Sequence, residues 1–488
     1  MNMNDDSFTP LIENKPATSY KKYGAALGVT GLTVAAALLL SGRSAAPVRP
    51  TDLIEMPEMT EEMIGSDITD LVSNPAETCM SSFNRMRESQ DESITSVFFH
   101  QRLDANGKFE DPTFPADTSS LYWRFQENEP NNHNQVLTYQ NYQNQYGIVW
   151  KRPSELPGTP NPSLWGKNGV SPKASKQGAL GDCWFLSSAS AIAGVPERIH
   201  RVFKNTEYAS DGAFEMYFYV RGERVSVIID DRIPVLDLGA RYVTQYPPIN
   251  SKPSPAGAWW LVLMEKAFSK LNINYTQINS GDPAEALKAI TGMPVSTHAS
   301  NTISDDELWK IVVDGTNARN PMAAACTVSH YNLIAGHAYG ILKGLCLTDG
   351  YGNCVHKLIQ MRNPWGLSKY TGPWSEDSNL WTPAWKQQAN LAEANEGEFY
   401  VPLEYWRTLY SSAYNTHYRD DWKISNIEGN PSEYTASTQQ NGFISFVQPV
   451  QQDVVIDCVQ YHSRLFPSGC KNEYTPLKFG FMVMTDQY

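Results

Sequence analysis

A single cysteine placed to open an apolar helix constrains this chain more than any other feature. In Gln177-Gly178-Ala179-Leu180-Gly181-Asp182-Cys183-Trp184-Phe185-Leu186 a Gly-Asp turn precedes Cys183. The residues that follow, Trp184, Phe185, Leu186, Ala189 and Ile192, form an apolar segment with a helix stop near Gly194. A thiol at a helix start feels the positive end of the helix dipole, which favours thiolate. Such a cysteine is either a nucleophile or a buried core residue, and its partners decide between the two.

Partners of the right kind follow in order. The run Tyr331 to Leu342 reads as a buried strand interrupted by one imidazole, His337, among small residues. Lys357 to Gly366 reads as a strand delivering Asn363, which Pro364 holds extended. His337 lies 154 residues and Asn363 180 residues after Cys183. This order and spacing resemble those of papain-type cysteine proteases.

The local sequences narrow the resemblance. Gln-Gly-Ala-Leu-Gly-Asp-Cys-Trp (177–184), Gly-His-Ala-Tyr (336–339) and Arg-Asn-Pro-Trp-Gly (362–366) resemble the three signatures of the calpain family. Further segments agree: Phe109-Glu110-Asp111-Pro112, Trp150-Lys151-Arg152-Pro153, Ile228 to Pro234, Leu263 to Leu271, Tyr370 to Ser375 and Glu396 to Phe399. The match runs over about residues 97 to 421. It implies an α+β, papain-like, two-lobed core, with a helical lobe carrying Cys183 (97–280) and a β-rich lobe carrying His337 and Asn363 (281–421).

Roles follow from the matched positions. The resemblance implies Cys183 as nucleophile, His337 as general base and acid, and Asn363 as the group orienting the imidazole. It implies Gln177 and the Cys183 amide as the oxyanion hole. Trp365 is expected to cover the His–Asn bond, and Gly281 and Gly336 to lie beside a bound peptide backbone. The expected partners are protein or peptide substrates, cut at a limited number of sites. A catalytically silent scaffold of the same family is the alternative, and a transglutaminase, which uses an acidic third residue, is disfavoured by Arg-Asn-Pro-Trp.

Calcium is implied by the family as an activator and supported only in part by the residues. Hard cations need clustered oxygen ligands. Ala174, Ala258 and Lys369 stand where acids are usual, while Glu376, Glu396 and Glu398 keep oxygens at the other expected positions. One partial site, or a solvated acidic surface loop, is the expectation. No cofactor is required for the chemistry.

Outside the core, residues 23–42 contain no charged side chain over about 20 positions, enough to span a hydrocarbon layer. A transmembrane anchor is expected there, after a polar leader (1–22). Lys15, Lys21 and Lys22 against Arg43 and Arg49 favour a cytoplasmic N-terminus and a lumenal or extracellular catalytic part. Asn274-Tyr275-Thr276 forms a glycosylation acceptor pattern in keeping with that orientation. Residues 43–96 are acidic, with a helix expected over about 60–72, and read as a juxtamembrane spacer or a propeptide. Residues 127–147 read as a surface insertion.

After residue 421 alternating runs at 443–447, 454–459 and 479–484 resemble the start of the β-sandwich that follows the protease in calpains. No EF-hand loop is present. A net charge of −13 argues against non-specific nucleic-acid binding. Of seven cysteines, Cys326, Cys346 and Cys354 read as small core residues, and Cys458 and Cys470 could pair in an oxidising compartment.

Overall fold

The apolar run after Asp182 folds into helix Cys183–Ile192, capped by Ala193 just before Gly194. The computed structural model describes residues 103–123, 126, 132–220, 222–239, 245–368, 370–391 and 397–422, with the backbone of three further strands. In chain order the helices are α1 (His133–Gln145), α2 (Cys183–Ile192), α3 (Pro196–His200), α4 (Trp260–Leu271), α5 (Pro283–Thr291), α6 (Asp305–Asn317), α7 (Pro383–Ala389) and α8 (Trp406–Leu409).

The first core gathers around α2 and α4. Phe185 and Phe268 stack with ring centroids 4.3 Å apart, and Trp184 meets Phe268 edge-on at 5.6 Å. Full burial of side chains of this size stabilises by about 1.5–3 kcal/mol each, which makes this contact the centre of the lobe. Strands β2 (Ile148–Lys151), β3 (Ala213–Val220), β4 (Glu223–Asp230) and β5 (Ile233–Leu236) form two small antiparallel ladders, β2 with β5 and β3 with β4. Two lysines at this core are paired: Lys266 on α4 binds Asp230, and Lys270 binds Asp111 at 2.9 Å. Unpaired, such groups would cost several kcal/mol each.

Helix α5 starts at Pro283 with Asp282 capping the Ala284 amide at 2.8 Å, and stops at Gly292 in the left-handed region (φ 70°). Its Ala286 and Leu287 lie in the first core, which therefore takes in residues beyond 280.

The second lobe is one antiparallel sheet in the order β10-β9-β8-β7-β11-β6. Its strands are β6 (Val295–Ala299), β7 (Met322–Cys326), β8 (His337–Thr348), β9 (Cys354–Arg362), β10 (Glu398–Pro402) and β11 (Tyr410–Thr416). Helix α6 packs on it through buried Leu308 and Val312. Ala323 and Ala338 of the sheet belong to the first lobe's core, so their small side chains let β7 and β8 approach α2. The structure agrees with the expected α+β two-lobed, papain-like core.

Several expectations need correction. Strand β8 begins at His337, and residues 331–336 are turn rather than strand. The stretch expected as a surface insertion contains helix α1, whose Val136 and Tyr139 are buried; Tyr139 donates to Asn250 at 2.9 Å. Cys346 and Cys354 are not separate core residues: hairpin pairing brings their Cα atoms within 5.5 Å and they form a disulfide. Asn274 is fully buried, caps the Gln277 amide and donates to Gln126 at 3.0 Å, so the folded chain does not offer it as a glycosylation acceptor.

Of residues 23–42, only Leu32–Ala37 (β1) is described, and it is strand, not helix. It pairs antiparallel with β12 (Ser425–Gly429) and β13 (Val455–Val459). Among the described residues no helix is long and apolar enough to cross a membrane. The rest of the expected anchor, the 60–72 helix, the runs at 443–447 and 479–484, and the side chains of Cys458 and Cys470 lie outside the described residues.

Candidate active site

The turn that presents Cys183 is built on a close backbone approach. A Cβ at Gly178 would sit 1.8 Å from the carbonyl oxygen of Asn250, so only glycine lets residues 177–182 lie against Asn250. Ala179 N–H donates to Ile249 O at 2.8 Å and fixes the turn. From there α2 begins at Cys183 itself, placing the thiol at the helix N-terminus.

Helix α2 meets the second lobe at β8. The Ala338 amide donates to Cys183 Sγ at 3.4 Å, so the residue beside His337 touches the thiol. His337 Nε2 and Asn363 Oδ1 are 3.0 Å apart. Asn363 Oδ1 also accepts the Trp365 amide at 3.0 Å. An oxygen that receives two donors fixes the imidazole as an Nε2–H donor, leaving Nδ1 as its proton acceptor. The Trp365 ring stands 5.0 Å from the His337 ring, and Tyr339 meets that ring edge-on at 4.8 Å.

The loop after Asn363 returns to the nucleophile's turn. Gln177 N–H donates to Pro364 O at 3.0 Å, and Ser175 Oγ donates to the same oxygen at 2.9 Å. The two lobes are thus hydrogen-bonded on the side of the turn that carries Gln177. The Gln177 side chain faces inward: Nε2 donates to Leu180 O at 2.7 Å, and Oε1 is buried without a partner.

Electrostatics leave the resting pair neutral. Burial pushes the Cys183 thiol up to about 11, with the Ala338 amide opposing and Asp182 reinforcing the rise. Burial holds the His337 imidazole down to about 4, against the Asn363 hydrogen bond. Desolvation here outweighs the helix dipole, and a proton moves from sulfur to nitrogen only once a substrate or a change of solvation alters these surroundings.

The structure therefore gathers Cys183, His337, Asn363, Trp365 and, through its backbone, Gln177. Gly336 precedes the histidine with φ 73° and open space where a Cβ would point. Gly281 packs against the Trp184 ring, where a Cβ would approach to 2.3 Å, so its lack of a side chain already has a packing cause. Two groups beside the thiol escaped the sequence reading. One is the Ala338 amide. The other is the carboxyl pair of Asp182 and Glu265; a glutamate inside the apolar run of α4 was the available signal.

The expected calcium oxygens are described only in part. Glu376 is exposed, Glu396 lies outside the described residues, and Glu398 accepts from Gln360 at 2.8 Å with the Arg362 guanidinium 3.9 Å away. Ala174 and Ala258 are buried and offer no side-chain oxygen. Among the described residues no group of three or more His, Cys, Asp or Glu could hold a metal ion.

Comparison with known proteins agrees with the geometry. The family profile described as "Calpain family cysteine protease" matches residues 109–415. The chain is 28% identical over 355 residues to the calpain-2 catalytic subunit of Mus musculus, covering 67% of this chain and 46% of that protein. It is 30% identical over 311 residues to calpain clp-4 of Caenorhabditis elegans, covering 61% and 39%. It is 29% identical over 350 residues to the calpain-type cysteine protease ADL1 of Oryza sativa subsp. japonica, covering 67% and 15%. The chain thus spans less than half the length of these relatives.

Proposed function

We propose that this chain, which belongs to the calpain family of cysteine proteases, is an active endopeptidase working through Cys183, His337 and Asn363. The observation that carries this reading is the docking of α2 on β8, with the Ala338 amide on Cys183 Sγ at 3.4 Å beside an imidazole already hydrogen-bonded to Asn363.

The chemistry runs in two steps. His337 Nδ1 takes the thiol proton, and the Cys183 sulfur attacks the scissile carbonyl carbon. The carbonyl oxygen gains negative charge, which the Cys183 amide and the Gln177 side-chain amide stabilise; one such donor is worth about a hundred- to a thousandfold in rate. For this, Gln177 Nε2 turns from Leu180 O toward the cleft or uses its second proton. His337 then protonates the leaving amine, and the acyl-enzyme forms. Water, deprotonated by the same imidazole, attacks the thioester and releases the acid. Asn363 keeps Nε2–H occupied throughout, so only Nδ1 exchanges protons.

Substrates are proteins cut at a limited number of sites, a cleavage mode taken from the family resemblance. Calcium activation likewise rests on the family, since the oxygens of Glu376, Glu396 and Glu398 are its sole residue support. Attachment to a membrane through residues 23–42 rests on the uncharged apolar sequence, and the lumenal or extracellular placement of the catalytic part rests on Lys15, Lys21 and Lys22 against Arg43 and Arg49. Release of the full chain from membranes by alkaline carbonate would overturn the attachment.

The test is labelling of the full chain by the thiol-directed epoxide E-64 across a calcium titration. Covalent adduct on Cys183, together with peptide hydrolysis abolished by C183S, is expected. No adduct and no hydrolysis at any calcium concentration identifies a silent scaffold. Hydrolysis that is flat across the titration removes calcium from the proposal.

A further inference from the structure

Asp182 occupies the N-cap position of α2, where an aspartate ordinarily accepts a hydrogen bond from the first turn, yet its side chain makes no such cap. It is fully buried instead, and so is Glu265 of α4, whose carboxyl stands in hydrogen-bond contact with it. Glu265 accepts the Ser251 amide through Oε1 at 3.0 Å and the Ser251 hydroxyl through Oε2 at 2.7 Å. Asp182 Oδ2 has no donor of its own. Its Oδ1 accepts the Gln177 amide at 3.5 Å, and the Asp182 backbone amide also acts on the carboxyl.

Two buried carboxyls in contact, both ionised, would repel with no cation to offset them. The groups acting on them are the Tyr139 phenol from α1, the Tyr275 phenol from the turn after α4, Cys183 on α2, Gln177 and Ser251. None is a cation. A proton between the carboxyls removes the repulsion and supplies the missing donor at Asp182 Oδ2.

We propose that Glu265 is a positioning residue for the nucleophile: it shares a proton with Asp182, holding the turn that carries Gln177 and Cys183 and setting the charge behind the thiol. This deepens the endopeptidase reading and rests on it. One shared proton leaves the pair a single negative charge, which opposes thiolate formation; a second proton neutralises the pair and favours the reactive form of Cys183. Burial, which raises Glu265 to about 7 and Asp182 well above the ordinary carboxylate range, makes the pair change charge near neutrality.

The test reads the rate at which N-ethylmaleimide labels Cys183 in the full chain, followed by mass spectrometry at pH 6 and pH 8. In E265Q, Asp182 keeps its proton and donates it to the glutamine oxygen, so the pair stays neutral at both pH values. Labelling then matches the unsubstituted chain at pH 6 and runs several-fold faster, up to about tenfold, at pH 8, one pKa unit being tenfold in thiolate. In D182N the asparagine donates to Glu265 as the protonated aspartate does, and burial still raises Glu265, so labelling follows the unsubstituted chain at both pH values and controls for the substitution itself. If E265Q does not fold, the unsubstituted chain carries the test: its labelling rate rises from pH 6 to pH 8 by clearly less than the roughly hundredfold that thiol ionisation alone gives. An E265Q rate ratio that is the same at both pH values, or a full hundredfold rise in the unsubstituted chain, overturns the proposal, because loss of packing alone does not change with pH in this way. Peptide hydrolysis is not needed for this readout, so failure of the endopeptidase reading is seen separately, as labelling without hydrolysis.

Discussion

The amide of Ala338 points at the sulfur of Cys183 across 3.4 Å, and this contact joins a helix of one lobe to a strand of the other. The same closeness buries the thiol and holds it near 11, while the imidazole lies near 4. At pH 7 the thiolate fraction of the resting chain is therefore on the order of one in ten thousand. Labelling of Cys183 by iodoacetamide should climb steadily from pH 7 to pH 9, at up to about tenfold per pH unit and less steeply where the Asp182–Glu265 pair ionises. A plateau already reached at pH 6 would show a preformed thiolate–imidazolium pair and sink this account of the resting state.

Asn363 acts on the chemistry through the imidazole. Its oxygen sits 3.0 Å from His337 Nε2 and 3.0 Å from the Trp365 amide, and the side chain is buried. Asn363→Ala frees the ring to adopt the other tautomer and rotate. The expected loss is on the order of a hundredfold in kcat, with KM little changed. A loss confined to KM would place Asn363 in substrate binding instead.

The catalytic trio was legible because each member lies in a run whose neighbours dictate its element: apolar periodicity after Cys183, small residues around His337, Pro364 after Asn363. Strand β8 starts later than its apolar pattern suggested because Gly336 turns the chain at φ 73°. Helix α1 was hidden by its Gln/Asn/Tyr composition, which lacks apolar periodicity; one buried tyrosine, Tyr139, and its bond to Asn250 anchor it. The Cys346–Cys354 bond depends on β-hairpin register, which spacing alone does not reveal. The role of Glu265 needs the fold, since α4 and the Asp182 turn are far apart in the chain.

Gly281 is held against the Trp184 ring, whose Nε1 donates to Ile278 O at 2.9 Å and so cannot swing away freely. A Cβ would come within 2.3 Å of ring carbon. Gly281→Ala should destabilise the full chain by about 1–3 kcal/mol, seen as a lower Tm, before any effect on peptide binding. An unchanged Tm with a raised KM would restore substrate contact as the chief reason for the glycine.

The Cys346–Cys354 disulfide ties β8, which begins at His337, to β9, which ends just before Asn363. It closes a loop with a sequence separation of 8, worth about 2–3 kcal/mol in the chain-entropy account. C346S/C354S should lower stability by that amount, seen as a lower Tm, and leave Cys183 labelling unchanged at 25 °C. Peptide mass analysis of the unreduced chain should find the fragment holding both cysteines lighter by two hydrogens than after reduction. Two free thiols in the unreduced chain would end this expectation.

The buried carboxyls also make stability depend on pH, with a sign opposite to that of an ion-paired acid. Glu265 lies near 7 when folded, against about 4.3 in an unfolded chain, and Asp182 moves in the same direction. The folded state thus binds protons more tightly than the unfolded one. The stabilising difference is fully present below about pH 4 and is lost as pH rises through about 7. For Glu265 the total is on the order of 3 kcal/mol. Tm of the full chain should fall between pH 5 and pH 8, and E265Q should flatten that fall. A Tm rising across this range, with E265Q following in parallel, would mean the pair is ionised in the folded chain and held by a cation.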